Sequence, residues 1–425
     1  MSDHTATLAA QLSALLVGSA ESQSGGALHG VVVLDITRVV AGPLCSMILA
    51  DLGATVIKIE HPSDPDYTRE FPPKLVADDG QAFSAFFAQF NRNKLAITLD
   101  MRTEDGKELL RDLVASADVL VENFRAGTMD RLGLGYDALR EINPRLVYTA
   151  VSGYGQTGPY RKRPAYDNSA QATGGLWSMN GVPGQPPIRV GTIIGDLAAT
   201  FYGAIGTLAA LRHAERTGEG QLVDISQQDS VLSLTENAVV SYTVDGRIAE
   251  PLGNEHPFVR PYGLYPCKDG HVFFGGYTDK FWRLSCEIFG EPDLIDDPAI
   301  DTMAKRFEED TYRSRVEPVI RRWFEHRTKA ELEWLAGDMV PLSAVKDIAE
   351  VVEDPQIAAR DMIVDVDYPE FGRLTMVGSP LKLSGTPAAP RGLAPGLGAH
   401  TDDVLRLVCG LDDDRIGELR AGGAI

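Results

Sequence analysis

The sequence predicts an α/β protein, with a large domain built on a parallel sheet covered by helices and a smaller α+β domain after it. Three observations predict this. From residue 28 onward, short apolar runs alternate with helical stretches, the pattern of strands buried on both faces. A stretch with few regular signals and several prolines and glycines, 246–262, then interrupts the alternation. Beyond it the pattern changes: Lys268-Asp269-Gly270 makes a hairpin-like turn between short strands, followed by charge-rich helices over about 303–338.

The elements follow in order. Residues 1–27 are small and polar and read as an N-terminal extension or surface arm. Strands are predicted over 31–35, 55–60, 119–122, 145–151 and 221–225, and helices over 43–53, 104–116, 136–141, 196–215 and 229–241. Residues 154–187 read as loop. The resulting organisation is a large domain over 28–245, a linker over 246–262 and a small domain over 263–345. Residues 346–425 form a return linker and a C-terminal segment packing on the large domain, with a short helix at 402–408. A chain of 425 residues exceeds one compact core, so two or three domains are expected.

Composition narrows the function. Apolar residues make up 44% and charged residues 24%, as in an ordinary soluble globular chain. The run 197–211 is too short and too rich in Gly, Ala and Thr for a membrane span. The apolar patch 8–17 has no Lys or Arg before it, which argues against a secretory signal. Cys45, Cys267, Cys286 and Cys409 form no CxxC pair, which argues against structural zinc and a disulfide framework and suits a reducing cytoplasm. A net charge of −20 makes nucleic acid a poor partner. An anionic ligand still requires local cations, and Arg92-Asn93-Lys94, Arg125, Arg131 and Arg161-Lys162-Arg163 are candidates, against the plain alternative of solvated loops.

Two motifs bear on chemistry. Gly153-Tyr-Gly155-Gln-Thr-Gly158 matches GxGxxG after a strand, but Pro159, the basic triplet and Pro164 prevent a helix from opening there, so it reads as a glycine-rich loop and not a dinucleotide site. Ile193-Ile194-Gly195-Asp196 puts a carboxylate where an apolar segment meets a small-residue helix. That carboxylate has two readings: an N-cap, accepting backbone amides, or a nucleophile that attacks a thioester to give a mixed anhydride and then an enzyme thioester. No histidine lies between His61 and His213, no GxSxG elbow appears, and no metal-ligating cluster is visible. Carboxylate chemistry remains.

Several stretches in one order carry a resemblance. Leu34-Asp-Ile-Thr-Arg-Val-Val-Ala-Gly-Pro43, Leu52-Gly-Ala-Thr-Val-Ile-Lys-Ile-Glu60, Phe90-Asn-Arg-Asn-Lys94, Val121-Glu-Asn-Phe124, Gly195-Asp196 and Thr217-Gly-Glu-Gly-Gln-Leu-Val-Asp-Ile-Ser226 resemble the family III CoA-transferases, as does Pro395-Gly-Leu-Gly-Ala-His-Thr401. That group includes formyl-CoA, crotonobetainyl-CoA and succinyl-CoA:dicarboxylate transferases, and the resemblance spans 28–425. It implies that Asp196 is the catalytic aspartate, and that Val40, Ala41, Leu99, Arg102, Asn123, Phe124, Arg125 and Arg131 line the CoA site. His61 falls where some members carry Arg. Tyr166-Asp167 falls at a Tyr-acid pair beside the reacting centre. The resemblance also implies a Rossmann-like large domain, a ring-shaped subunit and an interlocked homodimer. The partners expected are an acyl-CoA donor and a carboxylic acid acceptor, with CoA thioester as substrate, no permanently bound cofactor, no metal, and neither nucleic acid nor membrane.

Related α-methylacyl-CoA racemases carry His-Asp where this chain reads Tyr166-Asp167. Tyrosine, with a pKa of about 10, is a poor substitute for imidazole, which favours transfer. A non-catalytic CoA-binding protein is the third reading. Arg38, just before Val40-Ala41, is a candidate for holding a second substrate carboxylate, against a structural role. The loops Gly253-Asn254-Glu255-His256 and Gly275-Gly276 are candidate sources of oxyanion donors.

Overall fold

The computed structural model describes residues 3–16 and 26–425. Its central feature is a parallel sheet of six strands: β1 (Val32–Asp35), β2 (Thr55–Glu60), β3 (Lys94–Thr98), β4 (Val119–Glu122), β5 (Val147–Ser152) and β6 (Leu222–Ser226). They run in the order β3-β2-β1-β4-β5-β6, every pair parallel. Alternate side chains go to opposite faces. Val33, Val56, Val119, Val121 and Val147 meet helices Ala41–Asp51 and Ile194–Thr217 on one face. Val32, Leu34, Leu120 and Tyr148 meet helices Glu104–Ala115 and Thr401–Cys409 on the other. The strand order reverses between β1 and β4, and a crevice therefore opens beyond their carboxyl ends, the usual ligand position of such sheets.

The long helix is where the sequence-based length was short. It spans 24 residues and is apolar and long enough, by composition, to cross a bilayer. Its small residues serve close packing. A Cβ on Gly203 would lie 3.2 Å from the Cys45 Sγ, and one on Gly206 would lie 2.6 Å from Val223. Ala199, Thr207 and Ala210 are buried beside them.

Charge is buried under the sheet edge. The Lys94 Nζ donates to Asp35 Oδ2 at 2.8 Å, to the Pro43 carbonyl at 2.9 Å and to Asn91 Oδ1 at 2.9 Å. Burial pushes the Lys94 ammonium down to about 8 while Asp35 pulls it back up. Burial also opposes the Asp35 carboxylate, but Lys94 and Lys58 hold it below the usual range. Arg92 pairs in the same way with Asp51 at 2.7 Å. Arg92 and Lys94, read from the sequence as cations for an anionic ligand, are instead spent inside the protein, because each has a carboxylate partner in the core.

Other expectations change in the structure. Of the supposed surface arm, residues 3–13 form a helix and Leu8, Leu12 and Leu16 are buried against Val404 and Leu405, while residues 1, 2 and 17–25 lie outside the described residues. The helix read over 229–241 is two helices, Gln227–Leu232 and Ala238–Asp245, broken where Glu236 takes φ +52°. The loop region 154–187 contains helices Asp167–Thr173 and Leu176–Met179. Strand β3, the hairpins Lys74–Val76 with Ala82–Ser84 and Ile363–Tyr368 with Gly372–Val377, and the helix Asp413–Ala421 were not anticipated.

The chain divides into two compact units. The first comprises Met1–Trp177, Val190–Val239 and Gln356–Ile425, and the second Ser178–Arg189 and Val240–Pro355. The second therefore takes in 178–189, a segment read as part of the large domain. It has a three-stranded antiparallel sheet, with Gly263–Cys267 and Leu342–Ala344 flanking Gly270–Phe274. Helices Asp279–Ile288, Glu317–Phe324 and Lys329–Ala336 supply Trp282, Trp323, Phe324 and Leu332 to its core. The Phe289 and Trp323 rings stack 4.8 Å apart.

Candidate active site

Asp196 sits in the first turn of helix Ile194–Thr217, whose N-cap residue, Ile193, offers no side-chain cap. The cap comes from elsewhere. Asp167 Oδ1 accepts the Gly195 amide at 2.7 Å and the Asp196 amide at 3.4 Å, and its Oδ2 accepts from Gln171 Nε2 at 2.7 Å. Gly195 is needed at this junction, since a Cβ there would lie 3.0 Å from Asp167 Oδ1. With the helix end already served by Asp167, the Asp196 carboxyl is not held as a cap. Its Oδ1 instead accepts a hydrogen bond from the Gln227 side-chain amide.

The surroundings make this carboxyl unusual. Burial, and then the negative charge of Asp167, push its pKa up to about 7, while the Gln227 amide opposes the rise. A carboxylate so poised is dehydrated and more basic than usual, the property a nucleophile or base needs near neutrality.

The cleft around Asp196 has a volume of about 150 Å³. Val40 and Ala41 come from the start of the helix Ala41–Asp51 that follows β1, Asn123, Phe124 and Arg125 from just past β4, and Ser152 and Gly153 from the end of β5. The site therefore occupies the switch point that the strand order defines. Asn123 ties the two sides together: its Oδ1 accepts the Arg38 amide at 2.9 Å and its Nδ2 donates to the Arg38 carbonyl at 2.7 Å. Tyr166, Arg161, Arg163 and Gln227 complete the wall.

A second cleft of about 350 Å³ adjoins the first at Phe124, which lines both. It gathers Arg38, His61, Leu99, Arg102 and Arg131 around apolar Ile36, Ile59 and Met101. His61 Nδ1 accepts amides from Ser63 at 3.1 Å and Asp64 at 3.0 Å, and its Nε2 faces Asp100 at 3.2 Å and the Arg102 guanidinium. Arg38 pairs with Asp64 at 3.2 Å and donates to the Pro65 carbonyl at 2.5 Å.

The residues singled out in the sequence thus fall into two groups, with Arg38, His61, Leu99, Arg102 and Arg131 in the larger cleft and Val40, Ala41, Asn123, Arg125, Tyr166 and Asp196 in the smaller. Asp167 lies behind the smaller one, buried, with both oxygens engaged by protein. Gln227 and Ser152 were missed. Both occupy the carboxyl end of a strand or the residue just past it, a positional signal that the sequence carries without marking side-chain direction. The glycine loops Gly253–His256 and Gly275-Gly276 belong to the second unit.

A parallel sheet with its crevice at the switch point, and a dehydrated carboxyl at that crevice beside a cation-rimmed cleft, define an α/β enzyme built for carboxylate chemistry on an anionic ligand. Residues 28–401 match CoA-transferase family III, and the chain belongs to that family. It is 39% identical to the succinyl-CoA:mesaconate CoA-transferase of Haloarcula hispanica, over 89% of this chain and 96% of that protein. It is 35% identical to the succinyl-CoA–D-citramalate CoA-transferase of Chloroflexus aurantiacus, over 93% of this chain and 97% of that one. A crystal structure of a CaiB/BaiF family protein from Brucella suis superposes with a TM-score of 0.79 at 32% identity, covering 90% of this chain and 99% of the other.

Proposed function

We propose that this protein is a cytosolic enzyme that moves CoA from an acyl-CoA to a free dicarboxylic acid through covalent intermediates on Asp196. The observation that carries the reading is that Asp167, and not Asp196, caps the long helix, which leaves the Asp196 carboxyl directed into the cleft. Relatives named for succinyl-CoA with mesaconate or D-citramalate support the substrate class.

In this mechanism the Asp196 carboxylate attacks the thioester carbonyl of the donor, and CoA leaves as thiolate, giving an aspartyl-acyl anhydride. The thiolate then attacks the aspartyl carbonyl, releasing the donor acid and leaving an aspartyl-CoA thioester. The acceptor carboxylate displaces the thiolate to form a second anhydride. Attack of the thiolate on the acceptor carbonyl yields the new thioester and regenerates Asp196. Arg102 and Arg131 serve the phosphates of CoA in the larger cleft, with His61 beside them, Leu99 and Phe124 flank the pantetheine, and Val40, Ala41, Asn123 and Tyr166 surround the reacting end. Arg38, in the larger cleft and paired with Asp64, is assigned to the thioester substrate and not to the acceptor acid. The enzyme works as an interlocked homodimer, a reading supported by the apolar Phe201 and Ile205 exposed on the long helix.

Trapping tests this directly. Hydroxylamine or borohydride added with acyl-CoA is expected to modify Asp196, read by peptide mass spectrometry, and to leave it intact without acyl-CoA. Asp196→Ala is expected to abolish transfer, and undiminished turnover in that variant sinks the covalent role. Sedimentation or light scattering checks the dimer, with Phe201→Asp expected to give monomer.

A further inference from the structure

The glycine run that fails as a dinucleotide fingerprint builds a different device. A Cβ on Gly153 would lie 2.2 Å from the Ala165 Cβ, so the two ends of segment 153–165 touch. Gly155 takes φ +80°, which brings the Gln156 amide onto both carboxylate oxygens of Asp224 at 3.0 Å. The Arg163 amide donates to the Tyr160 carbonyl at 2.8 Å, and its guanidinium lies 3.7 Å over the Tyr160 ring. Tyr160 in turn packs edge-on to Tyr154 at 5.9 Å. The loop is closed at its neck, pinned to β6 and braced by the Arg163–Tyr160–Tyr154 contacts.

This braced loop presents positive charge. Arg161 and Arg163 line the same cleft as Asp196, and among the described residues no carboxylate pairs with either. The floor holds a second unmet group: Ser152, 8% exposed, has a buried hydroxyl with no hydrogen-bond partner. In a chain of net charge −20, two guanidinia without a carboxylate partner, beside an orphan donor, form a site for an anion. Arg38, by contrast, is in the neighbouring cleft and already bound to Asp64 and the Pro65 carbonyl.

We propose that Arg161 and Arg163 hold the non-reacting carboxylate of a dicarboxylic substrate, with the Ser152 hydroxyl donating to the bound acid. This rests on the CoA-transfer reading and makes the glycine loop its specificity element. One carboxyl of the acid must reach Asp196 to exchange. The other then lies a short carbon chain away, in the same small cleft, where a guanidinium fork matches a carboxylate with two parallel hydrogen bonds. A CoA phosphate is the competing anion for these arginines.

The test compares succinate and glutarate with butyrate as acceptors, in wild type and in Arg161→Met, Arg163→Met and the corresponding lysine variants. The ratio of kcat/KM for diacid over monoacid is expected to fall about 10- to 100-fold in the methionine variants, the range for losing a charge-assisted contact. The lysine variants should recover part of it, while calorimetric affinity for free CoA stays at the wild-type value. An unchanged ratio overturns the proposal, and so does a loss of free-CoA affinity, which makes the arginines phosphate contacts. Should the wild type transfer CoA to no acid, the transferase reading fails by itself. Calorimetric binding of succinate against butyrate to the same variants then still decides the arginine assignment, by whether the methionine changes weaken succinate selectively.

Discussion

Asp167 and Asp196 stand at one helix end with divided tasks: Asp167 Oδ1 receives the Gly195 amide at 2.7 Å, and its charge helps raise the Asp196 carboxyl to a pKa of about 7. Asp167→Asn keeps an acceptor for the amides but removes the repulsion. Under the proposed covalent role of Asp196, the acidic limb of the kcat/KM profile reports ionisation of this carboxyl in the free enzyme and is expected to move to lower pH. Asp167→Ala also removes the cap and should lower stability by about 1 kcal/mol in denaturant titration. A limb unmoved by Asp167→Asn would show that the repulsion is without effect.

Gln227 acts in the opposite direction. Its amide bonds the Asp196 carboxylate and lowers that pKa against burial. Gln227→Leu is expected to push the limb above 7 and to reduce kcat/KM at neutral pH by about tenfold, as for a lost hydrogen bond to a charged group. Much of the loss should return at high pH. A uniform loss at every pH would mean that Gln227 orients substrate and does not tune the carboxylate.

The two aspartates also show how far the sequence is legible. Ile193-Ile194-Gly195-Asp196 announces a helix start with a carboxylate, but not which carboxylate caps it, because Asp167 arrives from 28 residues away. The apolar runs of β1, β2, β4 and β5 are readable from their own residues. Strand β3 is not, since Lys94 opens it and a buried lysine makes sense only once Asp35 is known to lie opposite. Likewise Leu8 and Leu12 look like part of a polar arm until Val404 and Leu405 supply their partners. The helix at 229–241 is broken by the backbone at Glu236, which has no glycine to announce it.

The raised Asp196 carboxyl has a stability consequence. Its folded pKa, about 7, exceeds the ordinary value of 3.8. The folded state therefore holds the proton more tightly, and stability declines as pH rises from about 3.8 to 7. Asp196→Asn removes that decline. The variant is expected to match wild type at pH 4 and to melt higher than wild type at pH 8, by scanning calorimetry. Equal melting temperatures at both pH values would contradict the burial of this carboxyl.

The Lys94–Asp35 pair is a structural charge, and its removal should be felt in stability more than in chemistry. Lys94→Met leaves Asp35 buried without its nearest cation, and breaking such pairs costs about 3–5 kcal/mol. The doubly changed protein, Lys94→Met with Asp35→Leu, is expected to recover part of that loss in urea titration. If the double change costs as much as the sum of the singles, the charges are not coupled.

Glu122 closes β4 just before the shared wall of the two clefts. One of its oxygens accepts the Phe124 amide at 2.6 Å, and burial pushes the carboxyl up to about 8, with Asp130 and Asp224 adding to the rise. At neutral pH the group is therefore mostly protonated. Because the folded pKa lies above the ordinary 4.5, the stability this group contributes is complete below 4.5 and is lost as pH climbs through 8. Glu122→Gln keeps an oxygen for the Phe124 amide and cannot ionise. Its melting temperature should equal that of wild type near pH 5 and exceed it by several degrees near pH 9. Because Phe124 lines both clefts, the wild type should also lose CoA affinity over the same alkaline range while the variant does not. A melting difference independent of pH would mean that the Glu122 carboxyl is ionised throughout, with a compensating cation still to be found beside it.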